Sequence, residues 1–380
     1  MDAAAADAAG LALEAEVLRT GDVGAVLSAM REQPQRARLQ EEACVVLGNL
    51  SVKREDQARI AAAGGIRAVI SAMRLHPESA GVQEKGCGAL WNLTTENDTN
   101  RREVCQLDGI ELICQAMQSH KQSVEIQENA CAAFWSLCAN NDENKLRVAR
   151  AGGISAAVAA MRCYPQGARL QEKGCGALRN VAANLEVQVQ VASAGGIEAV
   201  LRAMQAHPSA APVQKEACGA LQNLAANPDS RLKIACSGGI RAILAAMQAH
   251  PAALDVHEEA CGALGNLAAD PENQADVAAL GGVEALVLAM KRHAASSGVQ
   301  KKACGALANL CAGQAEIQMR AVCAGGIEAV LEAMALHKRS AGLLENARGA
   351  LRNLAANFVD VMQARRLPSG EREAKRARVF

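Results

Sequence analysis

Aromatic side chains are scarce in this chain. Six occur in 380 residues, namely Trp91, Trp135, Tyr164, Phe134, Phe358 and Phe380. A core without rings has to be assembled from Ala, Leu, Val, Ile, Met and Cys, which suits closely packed helices. Net charge is also lacking, since 40 Lys and Arg balance 40 Asp and Glu. No global field therefore draws nucleic acid or an anionic membrane, and neither is expected as a partner. No apolar run reaches the roughly 18 residues of a membrane span. The opening Met1-Asp2-Ala3-Ala4 has no basic and apolar segments of a signal peptide. Asp rather than Gly at position 2 excludes N-myristoylation, so no membrane anchor is expected. Catalytic signatures are missing too: there is no phosphate loop, no dinucleotide-binding glycine motif after a strand and no nucleophile elbow. These absences exclude an enzyme and a cofactor, and lead to a cytoplasmic reading. Arg365-Arg366 followed by Lys375-Arg376-Ala377-Arg378 has the spacing of a weak bipartite nuclear signal, which adds the nucleus as a second location.

Cysteine, by contrast, is plentiful, at 14. Seven of these, Cys44, Cys87, Cys131, Cys175, Cys218, Cys261 and Cys304, recur at one interval. Equivalent points on stacked helices lie ~8–10 Å apart, whereas a disulfide needs Cα atoms roughly 4.4–6.8 Å apart. Buried free thiols in a reducing compartment are the expectation. No Cys-x-x-Cys occurs, so no metal is expected.

The same interval governs the rest of the chain. Asn49, Asn92, Asn180, Asn223, Asn266, Asn309 and Asn353 recur in steps of 43 or 44 residues, with Ser136 in the one vacant turn. Eight units follow, and a period of this size indicates a stacked solenoid. Residues 196–227 show the anatomy of one unit. Gly195-Gly196 stops one helix and turns into the next. Ile197, Val200, Leu201 and Met204 then form an apolar helical face. His207-Pro208 ends that helix. Val213 through Leu224 make the following one, with Cys218, Leu221 and Leu224 on one stripe, and Asn227-Pro228 opens a short helix running to Gly238-Gly239. On a helical wheel Asn223 points nearly opposite that stripe, beside Glu216, Gly219 and Asn227. The fold class is thus all-α, with about eight three-helix repeats of 43–44 residues. The organisation read from the pattern is an N-terminal segment over 1–20 containing the first short helix, an array over 21–357, and a closing helix with a charged tail over 358–380.

Three helices per unit, a Gly-Gly turn and an Ala-Leu-x-Asn-Leu third helix resemble the armadillo repeat family. The resemblance covers about residues 8–366. The phrase Gly81-Val82-Gln83-Glu84-Lys85-Gly86-Cys87-Gly88-Ala89-Leu90-Trp91-Asn92-Leu93 is similar to protist and algal arrays and to the armadillo region of leucine-rich-repeat kinase 2. It implies a right-handed superhelical solenoid, non-catalytic and monomeric. The implied task is to bind an extended peptide or partner protein along an asparagine-lined concave groove. The implied peptide-binding residues are Asn49, Asn92, Asn180, Asn223, Asn266, Asn309 and Asn353, with a gap at Ser136. Import adaptors resembling this chain carry tryptophan four residues before the asparagine. Here that register is Val45, Gly88, Ala132, Gly176, Gly219, Gly262, Gly305 and Gly349, which disfavours the nuclear-import alternative.

Further candidates flank the line. Trp91 and Trp135 each precede it in adjacent units, and read either as helix packing or as a paired aromatic anchor. Glu216 and Glu259, with Glu258 and Asp270, make the fifth and sixth units acidic among flanking lysines. His76, His120, His207, His250, His293 and His337 share a register at helix ends, where the dipole favours them, and read as caps rather than ligands.

Overall fold

A computed structural model of the chain describes residues 22–356. All regular structure among the described residues is helical, in 23 helices that repeat as short, middle and long. The short first helix has nine residues, as in Arg54–Ala62. The second has eleven, as in Gly65–Leu75. The third has fourteen or fifteen, as in Ala80–Thr94 and Val124–Leu137. The expected first short helix within 8–19, the closing segment around Phe358 and the basic tail lie outside the described residues.

The chain divides into two compact units, one ending at Ala206 and one beginning at His207. In the first unit the third helices are Ala37–Leu50, Ala80–Thr94, Val124–Leu137 and Ala168–Val181. In the second they are Ala211–Leu224, Leu254–Leu267, Ser297–Leu310 and Ala341–Ala355. Within each unit consecutive third helices form the most extensive packing.

The repeated sequence explains why. Cys87, Leu90 and Leu93 are fully enclosed in one third helix, and Cys261, Leu264 and Leu267 in another. Ile66, Val69, Ile70 and Met73 bury the facing stripe of a second helix. Met73 occupies the space beside Gly86, where a Cβ would stand 2.4 Å from its Cγ. Each paired glycine has two separate reasons to be glycine. The first adopts the left-handed region, with φ near 91° at Gly64 and 81° at Gly238, and Asp108 takes the same position at 59°. The second opens the next helix against the previous one. A Cβ on Gly239 would meet the Ile234 carbonyl at 2.8 Å, and one on Gly65 the Ile60 carbonyl at 2.9 Å.

All 14 cysteines are free, and the seven in register are buried. Burial pushes the thiols of Cys44, Cys131, Cys261 and Cys304 up to about 12. Inert packing is therefore their role.

Candidate functional site: the asparagine line

The asparagines stand in register on the third helices, and the structure gives their amides a specific partner. Asn92 Nδ2 donates to the Gly48 carbonyl at 3.0 Å, and Asn180 Nδ2 to that of Trp135 at 2.7 Å. In the second unit Asn266 reaches Gln222 at 2.8 Å, Asn309 reaches Gly265 at 2.8 Å, and Asn353 reaches Ala308 at 2.7 Å. Every acceptor is the residue just before the line in the preceding repeat. The nitrogen of each of these five amides thus staples one third helix to the last, and fixes where the amide oxygen sits. Accordingly these side chains are half-buried, except Asn49 and Asn309, which are exposed. The wheel correctly put them away from their own helix's core stripe. It gave no sign of a carbonyl 44 or 45 residues upstream.

Ser136 marks the break in the line. It is buried, and its Oγ accepts from Thr94 Oγ1 at 2.9 Å. The carbonyl of Trp91, which an asparagine there would engage, accepts instead from Thr95 Oγ1 at 2.9 Å. A second register makes the same kind of staple seven residues earlier. Asn129 Nδ2 donates to the Glu84 carbonyl at 3.2 Å, and Asn346 to that of Lys301 at 2.9 Å.

The acidic candidates are placed differently from the open face expected for them. Glu216 is only 2% exposed and Glu259 only 8%. Glu259 accepts from Lys302 Nζ at 2.9 Å, and Glu216 lies 3.7 Å from Lys215 Nζ. Charge on this stretch is paired internally because the neighbouring third helix covers a side chain that its own helix leaves outward. Asp270 and Asn227 are also accounted for, as caps on the following short helices. Asp270 accepts from the Glu272 N–H and Asn227 from the Ser230 N–H, each at 3.0 Å.

Trp91 and Trp135 are half-buried. Lys173 Nζ lies 5.2 Å from the ring centre of Trp91 and 4.9 Å from that of Trp135. The two rings therefore belong to one cluster, together with a lysine that the pattern reading treated as a flanking charge.

The histidine register also works across repeats. The rings of His76, His120, His250 and His337 occupy helix C-cap positions, as expected. In addition their Nε2 atoms donate to the carbonyls of Pro34, Pro77, Pro208 and Ala294 at 2.7–2.8 Å. Tyr164 holds the same place in the fourth unit and donates to Lys121 at 2.9 Å. The cap register thus also serves as another staple; no His, Cys, Asp and Glu grouping of metal-binding size occurs among the described residues.

Sequence reasoning gave no role to the glutamines nine residues before the line. Gln83 Nε2 donates to the Met73 and His76 carbonyls at 2.7 and 2.9 Å, closing the end of the second helix. Gln40, Gln127, Gln171 and Gln300 repeat the contact. Their fixed spacing to the asparagine was the available signal. His257 replaces this glutamine once and packs against the His293 ring, with ring centres 4.6 Å apart and planes tilted by 50°.

Three-helix units, glycine turns and third helices stapled through their asparagines are now all in place. A family model described as LRRK2 ARM repeat matches residues 23–371. The chain belongs to the LRRK2 ARM repeat family. Among solved structures this ARM array is similar to an engineered protein at 25% identity, with 93% of this chain and 84% of that one covered and a TM-score of 0.75. It also matches a chain from a structure concerning the interaction between cadherin and beta-catenin, at 19% identity, 90% and 69% coverage and a TM-score of 0.73. A designed armadillo repeat protein in complex with the peptide (KR)4 matches at 22% identity, 64% and 99% coverage and a TM-score of 0.55. No curated protein sequence matches the ARM array. No described helix is long and apolar enough to cross a membrane.

Proposed function

We propose that this ARM array is a non-catalytic protein-interaction scaffold that takes an extended peptide or partner protein along the third-helix face of its units. The observation that carries the reading is the asparagine line itself. Each bonded amide is anchored through Nδ2 to the preceding repeat. The amide is therefore pre-oriented, and its Oδ1 acceptor remains for a ligand N–H. Preorganised acceptors at equal steps match a chain whose donors also repeat. The designed armadillo repeat protein solved in complex with a peptide supports peptide binding as a task for this fold. Tryptophan is absent from the register four residues before the line, which keeps the nuclear-import adaptor as the disfavoured alternative. The protein is proposed to act as a monomer in the cytoplasm, with the nucleus as a second location.

A random library of twelve-residue peptides displayed on phage and selected on the full chain supplies ligands for the test. Binders are then titrated against Asn266→Ala/Asn309→Ala, with helicity checked by circular dichroism. Each lost hydrogen bond is expected to cost roughly 0.5–1.5 kcal/mol of binding. Affinity per folded molecule should therefore fall about 5- to 150-fold for the pair if the costs add. Unchanged affinity in a folded double variant would remove the line from the binding surface.

A further inference from the structure

Trp91 and Trp135 are the only tryptophans of the chain. They stand in consecutive third helices, Ala80–Thr94 and Val124–Leu137, each one residue before the line. Neither is consumed as core: both stay half-buried, whereas Phe134 beside them is enclosed. Trp135 lies close against the next third helix, where a Cβ on Gly176 would stand 2.7 Å from the indole. The ammonium of Lys173, on that same helix, lies about equally far from both rings, at 5.2 and 4.9 Å. It also donates to Glu172 Oε1 at 2.9 Å. Two aromatic faces and one carboxylate converging on a single point make up an ammonium site.

A lysine in this register does not need the rings. Lys85 pairs with Glu84, and Lys302 with Glu258, Glu259 and the Gln222 amide oxygen, without any ring. Among the described residues Lys173 is the one cation seated over tryptophan. Its side chain is 12% exposed, at the edge of the asparagine line.

We propose that Trp91, Trp135 and Glu172 form a subsite for a lysine side chain of the partner, which Lys173 fills in the free protein. The proposal rests on the peptide-binding reading above and names the chemistry of one partner residue. Lys173 acts as the stand-in: its ammonium shows what the cluster accepts. Replacing one ammonium by another preserves both ring contacts and the carboxylate contact, so an incoming lysine competes with a tethered one. A compact ammonium suits a single point between two rings, whereas a planar guanidinium stacks on one face. Removing the tethered competitor should therefore strengthen binding.

Intrinsic fluorescence reports this subsite directly, since no other tryptophan contributes. The full chain is titrated with acetyl-Gly-Gly-Lys-Gly-Gly-amide and with the same peptide carrying norleucine, which is nearly isosteric and uncharged. The lysine peptide should give a weak saturable change and the norleucine peptide none. Lys173→Met keeps the stem and removes the charge, and should tighten the lysine peptide by about three- to thirtyfold. Lys173→Gln should do the same, which guards against one variant failing to fold. Equal or weaker binding in both folded variants overturns the proposal, as does equal binding of the norleucine peptide. Tetramethylammonium chloride, run on Lys173→Met against sodium chloride of equal ionic strength, tests the rings alone. No saturable change with it sinks the subsite and leaves the asparagine-line reading to its own test. A change with tetramethylammonium but none with the lysine peptide also overturns the proposal, and locates the failure in the peptide surface.

Discussion

The two compact units share the enclosed apolar stripe of their third helices and differ in the registers beside the asparagine line. Up to Ala206, the residues just before the line are Gly48, Trp91, Trp135 and Arg179, and from His207 they are Gln222, Gly265, Ala308 and Arg352. Seven residues before the line the first unit carries Glu42, Lys85, Asn129 and Lys173, and the second carries Glu216, Glu259, Lys302 and Asn346. The first unit thus gathers aromatic faces around a lysine, while the second pairs carboxylates with lysines and contains no tryptophan. Registers that bond or pack against the previous repeat cannot vary without breaking the stack. The registers just before the line and seven residues before it vary more, with staples only at Asn129 and Asn346 in the second of them, and they are where one unit acquires chemistry that the other lacks.

The largest expected effect tests the shared part of the comparison. Leu90→Ala in the first unit and Leu264→Ala in the second each empty a fully enclosed site. Each should cost about 2–5 kcal/mol in chemical denaturation followed by circular dichroism. Because both tryptophans lie before residue 207, fluorescence follows the first unit alone. Leu90→Ala should shift the fluorescence midpoint more than Leu264→Ala does; equal shifts would erase the distinction between the units.

Next in size is a pH dependence confined to the second unit. His257 is 2% exposed, and burial together with the His293 ring holds its imidazole down to about 4. Its folded value lies below the ordinary one of about 6.5. Stability from the neutral ring is therefore complete above that value and lost as pH falls from about 6.5 through 4. The loss should total about 2–3 kcal/mol at the acid end. His257→Gln installs the residue that six of the other seven units carry here and should flatten the slope. Thermal melts of both proteins between these limits decide it, and parallel slopes would exonerate the histidine.

A smaller effect concerns the staples. Asn309→Ala removes a bond to the Gly265 carbonyl and should lower stability by about 0.5–1.5 kcal/mol. Asn49 is exposed and makes no such bond among the described residues, so Asn49→Ala should stay within about 0.5 kcal/mol of the parent. Equal losses at the two positions would mean that the staple adds nothing. The smallest change should come from Arg320→Met, which unpairs Glu284 at a partly exposed bridge. About 0–1 kcal/mol is expected, shrinking further in high salt. A loss well above that would make the ion pair a fixed part of the second unit.

Much of this molecule was readable from its letters, and for a local reason. The helices, the glycine turns, the enclosed Cys-Leu-Leu stripe and the repeat length all follow from 3.6-residue periodicity and turn chemistry, which act over a few residues. The family resemblance rests on the same signals. What the polar registers do was decided only by stacking. A helical wheel places Asn309 or His76 relative to its own axis, yet their partners are carbonyls 42 to 44 residues upstream. Glu216 and Glu259 look outward on their own helix and are buried by the next one. Lys173 meets two tryptophans contributed by the two preceding repeats. Each of these contacts depends on the rise and rotation between successive repeats, and no single repeat encodes that geometry by itself.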